Sequence, residues 1–256
     1  MTWSPQQYTR FEDDRTRPVR DLVAAIPTGD PARAVDLGCG PGNSTEVLAA
    51  RYPGAEIHGL DSSPDMIDAA RQRLPALRFD VADILAWDDP GPFDVILSNA
   101  VVQRLPDHAV LLPRLVARLA EGGSLAVQMP DNLDEPAYRV MRAVADAREW
   151  RDKVASAGGQ RGEMDTADGY YRTLRPHCRR VEVWRTTYFH VLAGGADAVV
   201  EWFKGSGLRP YLAPLDEAER REFLIRYREG VARAYPAQPD GAVLLPFPRL
   251  FMVATR

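Results

Sequence analysis

Cysteine is scarce: Cys39 and Cys178 are the two in a chain of 256 residues. Neither sits in a C-x-x-C pair, which excludes a disulfide framework and fits a reducing cytoplasm. Histidine is scarce too, and His58, His108, His177 and His190 show no metal-ligand spacing with one another or with the cysteines, so no metal is expected. Positive charge is not in excess. The chain has 32 Lys and Arg against 36 Asp and Glu, a formal net charge of −4, which argues against a nucleic-acid partner. Lysine is confined to Lys153 and Lys204, a bias that reads as codon usage and marks no site. No apolar run is long enough for a bilayer, and the first residues carry Arg10, Glu12, Asp13 and Asp14 where a signal peptide would have its apolar core. These absences lead to an expected soluble, cytoplasmic protein with no membrane or nucleic-acid partner and no evident obligate protein partner.

What the chain does contain is organised around AVDLGCGPGNST, residues 34–45. Ala34, Val35 and Leu37 form a short apolar run suited to a buried parallel strand, and a turn with three glycines follows. Gly38, Gly40 and Gly42 allow positive φ and let a ligand approach without meeting a Cβ. Asn43, Ser44 and Thr45 are good N-cap residues, so a helix is expected to start there and run to Arg51. A dinucleotide fingerprint would place Gly or Ala where this chain has Asn43, and Pro41 lacks the N–H that a pyrophosphate nest needs. A ligand without phosphate fits better. S-adenosylmethionine, adenosine at one end and an amino acid at the other, is the candidate, with Asp36, Gly38, Gly40 and Asn43 around it. A glycine-rich turn with no ligand is the plainer alternative.

Along the chain, residues 15–26 read as a helix through Val19, Leu22, Val23 and Ile26. Trp3, Tyr8 and Phe11 precede it, either stapling the N-terminal segment to the body or lying over the cofactor as a lid. A second strand, 56–60, ends at Asp61, roughly 20 residues past the turn, where Rossmann-like folds place a ribose-binding carboxylate. Ser62, Ser63 and Pro64 then open a helix. A third strand, 77–81, leads to Asp83 and Ile84, which suit the adenine amino group and ring. The strand at 93–97 ends at Ser98 and Asn99, and ligands bind beyond such strand ends, so Asn99 and Gln103 join the site. A helix at 107–120, stopped by Gly122 and Gly123, and a strand at 125–129 complete a doubly wound parallel sheet with right-handed crossovers. After Pro130 the rhythm changes: a charged helix at 136–157, a glycine-rich link at 156–162, a long strand at 179–190, helices at 197–205 and 216–235, and a last strand at 250–254. Segments 133–175 and 194–246 are expected to form a helical cap over the strand ends.

With these pieces placed, the chain resembles the class I S-adenosylmethionine-dependent methyltransferases and, more narrowly, the bacterial trans-aconitate 2-methyltransferases. The blocks that carry the narrower resemblance span nearly the whole length: Trp3, Tyr8, Phe11, Arg15, Arg17 and Pro18; DLGCGPGNST; GLDSSP from Gly59; LPDH from Leu105; LAVQMPDN from Leu125; WRTTY from Trp184; GLRP from Gly207; and FPRLF from Phe247. Arg104 departs from the family pattern, which has Trp there. The resemblance implies a Rossmann-like seven-stranded sheet with a helical cap inserted near the C-terminal half. It also implies methyl transfer to a carboxylate of trans-aconitate, giving a monomethyl ester and S-adenosylhomocysteine, with Asp61 and the adjacent Ser62 on the ribose side and Asp83 near adenine.

The chemistry needs little from the chain beyond positioning. A carboxylate titrates at about 4, so the nucleophile is ionised at neutral pH and no general base is expected. The carboxylates that do not react call for cations, and arginine forks suit them. Arg185, Tyr188 and Arg249, from the shared blocks, lead the candidates for a small polycarboxylate, followed by Tyr171 and Gln103. Two other readings stay open: a methyltransferase for another small carboxylic acid, and a binding module without transfer activity.

Overall fold

Strand and helix alternate through the first 130 residues because short apolar runs alternate with longer stretches of three- and four-residue apolar spacing. The computed structural model describes residues 12–155, 157 and 164–256. The first half comprises α1 (Glu12–Ala24), β1 (Arg33–Leu37), α2 (Asn43–Arg51), β2 (Glu56–Asp61), α3 (Pro64–Arg73), β3 (Arg78–Val81) and β4 (Phe93–Asn99). After a 3-10 turn at Val102–Arg104 come α4 (His108–Val116), β5 (Leu119–Pro130), α5 (Pro136–Ala145) and α6 (Arg151–Val154). The chain continues through α7 (Ala167–Leu174), β6 (Arg180–Leu192), α8 (Gly195–Lys204), α9 (Arg209–Leu212), α10 (Glu217–Ala234) and β7 (Val243–Thr255).

The seven strands form one sheet in the order β3-β2-β1-β4-β5-β7-β6. The first five pair in parallel, with Leu37 beside Leu60 and Asp36 beside Leu97 at the end of β1. The reversal on either side of β1 is the topological switch point where open α/β sheets bind ligands. β7 runs against β5: Arg256 N–H donates to Gly123 O at 3.0 Å, and Gly122 N–H donates to Arg256 O at 3.1 Å. The doubly wound seven-stranded arrangement expected from the sequence is therefore the observed one.

The chain packs as two compact units. The first contains Met1–Pro130, Gly162–Arg185 and Leu250–Arg256. Its main core joins Val35, Leu37, Leu60, Ile96 and Val127 of the strands to Leu111, Leu112 and Leu115 of α4 and to Tyr170 and Leu174 of α7. A smaller cluster seats Ile67 and Ala70 of α3 on Cys39 and Phe79. α7 falls within residues 133–175, the first expected cap segment, yet it packs in this unit. The second unit is Asp131–Arg161 and Thr186–Arg249. There α10 starts on a capping box between Asp216 and Glu219. Tyr138 meets Phe203 edge-on at 5.3 Å, and Gly230 lets α10 approach Val140, which a Cβ would touch at 2.4 Å.

Several boundaries differ from the sequence expectation. The helix expected at 107–120 ends at Val116, and β5 begins at Leu119 with Gly122 and Gly123 inside it. Those glycines stop no helix. A Cβ on Gly123 would lie 2.8 Å from Phe93 O, beside the register shift between Phe93 and Val95, so close strand approach requires the glycine. The single helix expected at 136–157 is two, α5 and α6. The last strand starts at Val243, seven residues before the expected 250. The glycine-rich link at 156–162 lies, except for Ala157, outside the described residues.

Candidate active site

The turn after β1 is held almost entirely by β2. Gly38 and Cys39 donate their N–H groups to Leu60 O at 2.7 and 2.9 Å. Gly40 N–H donates to Asp61 Oδ2 at 3.0 Å, Pro41 has no N–H, and Gly42 N–H donates to Cys39 O at 3.1 Å. Every backbone donor of the glycine turn is thus engaged within the protein. A phosphate nest needs several convergent N–H groups, and this turn offers none.

Two of the glycines serve different ends. Gly38 has φ +73°, and a Cβ there would lie 2.2 Å from Val101 Cγ2, so packing against the β4 loop forbids a side chain. Gly40 has φ +55° and nothing within 4 Å of where a Cβ would stand. Its open side is free for a ligand.

Asp36 lies fully buried below the turn. Ser44 Oγ and Thr45 Oγ1 both donate to its Oδ2, at 2.6 and 2.7 Å, and its Oδ1 is buried with no partner among the described residues. Burial pushes its carboxyl up from 3.8 to about 6; the two hydroxyls pull the other way, and the charge of Asp61 adds to the rise. The helix starts at Asn43 and runs to Arg51 as expected, but its cap differs from the expected one. The N-cap of α2 is Gly42, at φ 91°, with no side-chain cap bond, because the Ser44 and Thr45 hydroxyls are turned to Asp36.

Asp61 spans two loops. Besides Gly40, it accepts Ser63 N–H on Oδ1 at 2.9 Å, and each carboxylate oxygen keeps a further lone pair for a hydroxyl donor. Thr16 and Val19 of α1, Gly38, Cys39, Gly40, Asn43, Ser44 and Asn99 line one cleft over the turn. Asn99 Oδ1 is buried with no partner among the described residues. Four sequence-predicted cofactor residues, Gly38, Gly40, Asn43 and Asn99, therefore share one cleft. Asp36 and Asp61 are bonded directly to its lining. Thr16, Val19, Cys39 and Ser44 were missed, although the three-residue step from Thr16 to Val19 on a helix beside the turn was a readable signal.

The other predicted cofactor positions are less closely joined. Ser62 is exposed at the end of β2. Asp83 is exposed and accepts Leu85 N–H at 2.9 Å, while Ile84 is packed in the main core. That loop is fastened from α4: Arg114 Nη2 lies 2.7, 3.0 and 3.3 Å from the carbonyls of Leu85, Trp87 and Ile84. Tyr8, Trp3 and Phe11 lie outside the described residues.

Of the acceptor candidates, Gln103 is buried; its Nε2 donates to Ala100 O at 2.7 Å, and its Oε1 is buried with no partner among the described residues. Tyr171 is 43% exposed. It lines a groove with Ala25, Val181 and Trp184 that shares no residue with the glycine-turn cleft. Arg104 is exposed, as is Arg185 at the last first-unit position of β6. Tyr188 and Arg249 are buried in the second unit, where the Arg249 guanidinium lies 5.0 Å from the centre of the Phe247 ring. Among the described residues, no group of three or more His, Cys, Asp or Glu is placed to hold a metal ion, and no helix is long and apolar enough to cross a membrane.

Comparison with known proteins bears on this geometry. A family model described as a methyltransferase domain matches residues 35–125. The chain is similar to the trans-aconitate 2-methyltransferase of Methylobacterium nodulans, 53% identical over 99% of this chain and 98% of that protein. It is also similar to the trans-aconitate 2-methyltransferase of Rhodopseudomonas palustris strain BisB18, 52% identical over 99% of each chain. Among solved structures, the YcgJ protein of Bacillus subtilis has a TM-score of 0.60 at 10% identity, covering 94% of this chain and 98% of that one. Coclaurine N-methyltransferase, solved with N-methylheliamine and S-adenosylhomocysteine, has a TM-score of 0.54 at 16% identity, over 94% of this chain and 71% of that one. The structural likenesses establish the fold alone.

Proposed function

This chain belongs to the trans-aconitate 2-methyltransferases, and from that premise we propose that it methylates a carboxylate of trans-aconitate with S-adenosylmethionine, releasing the monomethyl ester and S-adenosylhomocysteine. The observation that carries the cofactor reading is the engagement of every N–H in the glycine turn, which suits a ligand that brings no phosphate. The open side of Gly40 and the buried acceptor of Asn99 fit such a ligand. Asp61 can accept from ribose hydroxyls while keeping its two backbone bonds. We place Asp83 on the adenine side. The two free thiols, Cys39 and Cys178, support a cytoplasmic setting.

S-adenosylmethionine, when bound, supplies an electrophilic methyl on a cationic sulfur. The chain has three tasks around it. It must hold the acceptor carboxylate in line with that methyl, a positioning effect worth about 7–11 kcal/mol when complete. It must exclude water, because water stabilises separated opposite charges more than the transition state in which they cancel. It must also pair the carboxylates that do not react, and we assign this to Arg185 and Arg249, with Tyr188, Gln103 and Tyr171 as hydrogen-bonding candidates. No proton moves at the nucleophile, so no side chain has to act as a general base.

Incubation with methyl-labelled S-adenosylmethionine and a competitive panel of small polycarboxylates tests the reading. Labelled ester should form fastest on trans-aconitate. Preference for another acid would redirect the substrate assignment, and binding without any ester would favour a module without transfer activity. Arg185→Ala and Arg249→Ala should each raise KM for trans-aconitate and leave cofactor affinity nearly intact; unchanged kinetics would remove them from the site.

A further inference from the structure

The loop from β4 to α4 holds two non-glycine residues in left-handed backbone, Ala100 at φ 58° and Asp107 at φ 52°. Each conformation costs about 1 kcal/mol or more and persists only where surrounding structure imposes it. Between them lies the 3-10 turn Val102–Arg104, which carries Gln103. Ala100 is fixed from both sides: its N–H donates to Gln128 O at 2.8 Å, and its carbonyl accepts from Gln103 Nε2.

The turn has a second anchor. His108, the first residue of α4, is buried, and its Nε2 lies 2.8 Å from Val102 O. A carbonyl only accepts, so Nε2 carries a proton. In the neutral ring Nδ1 is then the acceptor, and the Tyr170 hydroxyl donates to it at 2.7 Å. Tyr170 is buried on α7, its ring stacked on the imidazole at 5.8 Å, and its oxygen accepts Asp165 N–H at 3.2 Å. A hydrogen-bonded line thus runs from the start of α7 through the imidazole to the carbonyl next to Gln103.

We propose that His108 is a positioning residue for the methyl acceptor: in the Nε2–H form, oriented by Tyr170, it pins Val102 and thereby sets where Gln103 presents its amide. This rests on the proposed function, in which Gln103 is a hydrogen-bonding candidate for the acceptor. Ordinary helix-start packing would affect folding and both substrates alike, whereas positioning through Gln103 separates the two Michaelis constants.

The test uses the full chain. His108→Leu should raise KM for trans-aconitate about tenfold with the dissociation constant for S-adenosylmethionine within about twofold of wild type. His108→Gln, which can donate and accept at similar positions, should recover most of that loss. If His108→Leu fails to fold, Tyr170→Phe, which removes only the orienting hydroxyl, should raise the same KM about threefold. Imidazole 15N shifts in the folded enzyme should report a proton on Nε2. An unchanged acceptor KM in the folded variants, a parallel loss of cofactor affinity, or a proton on Nδ1 alone would overturn the inference while leaving the proposed function standing. Wild-type enzyme that binds S-adenosylmethionine yet esterifies no polycarboxylate would overturn both.

Discussion

Asp61 Oδ2 accepts the N–H of Gly40 at 3.0 Å, so the carboxylate that ends β2 also shapes the turn that follows β1. Its other oxygen holds Ser63 N–H, so Asp61 ties the loop after β2 to the glycine turn that lines the cleft. Removing it should therefore affect folding and binding together. Asp61→Ala leaves two backbone donors without their acceptor and should cost about 1–3 kcal/mol of stability by denaturant titration. Asp61→Asn keeps one acceptor oxygen but sets an NH2 against the other backbone donor, so it should lose part of the same stability and bind S-adenosylmethionine about tenfold more weakly by calorimetry. Undiminished affinity in the Asn variant would remove Asp61 from the ribose.

The neighbouring glycines should respond differently to the same methyl group. At Gly38 a Cβ meets Val101 Cγ2 at 2.2 Å in a left-handed backbone, so Gly38→Ala should destabilise the fold by about 2–4 kcal/mol. At Gly40 nothing stands within 4 Å, so Gly40→Ala should cost only about 1 kcal/mol of conformational strain while impairing cofactor binding. Thermal melts and calorimetry on the two variants would separate the effects. Equal melting temperatures would refute the distinction.

Asp36 supplies a pH signature. Burial raises its folded-state carboxyl to about 6 from 3.8, so between those values the folded protein retains a proton that the unfolded chain has released. The stability that this proton linkage contributes is complete below 3.8 and lost as pH rises through about 6. Asp36→Asn, which cannot ionise, should gain on wild type by up to about 3 kcal/mol between pH ~4 and pH ~7. Denaturant midpoints of both proteins across that window check the sign. A constant difference would mean that Asp36 does not titrate there.

Arg114 should influence the cofactor from outside the cleft. Its guanidinium reaches the carbonyls of Ile84, Leu85 and Trp87, and Arg118 Nη2 adds a bond to Trp87 O at 2.6 Å. Arg114→Met should loosen the loop that bears Asp83, raising the dissociation constant for S-adenosylmethionine about three- to tenfold. KM for the acceptor should be unchanged. Equal loss of both affinities would mean that the substitution disturbs the whole sheet.

Where the sequence misled, one residue type could satisfy two physical demands. Ser44 and Thr45 follow a glycine turn as helix caps do, and nothing local reveals the buried carboxylate that takes both hydroxyls. Gly122 and Gly123 end an apolar helical pattern, yet close packing on Phe93 requires a glycine just as a helix stop does.

By itself the sequence determined the alternation of strand and helix, the bend after β1 and the acid at the end of β2. Those features follow from apolar period and turn chemistry over a few neighbouring residues. Tertiary structure alone decided that the turn has no N–H left for a phosphate, that Val101 forbids a side chain on Gly38, and that Tyr170 orients His108 across 62 positions of chain. Each depends on groups brought together by packing of the sheet and its helices, and no local pattern encodes that distance.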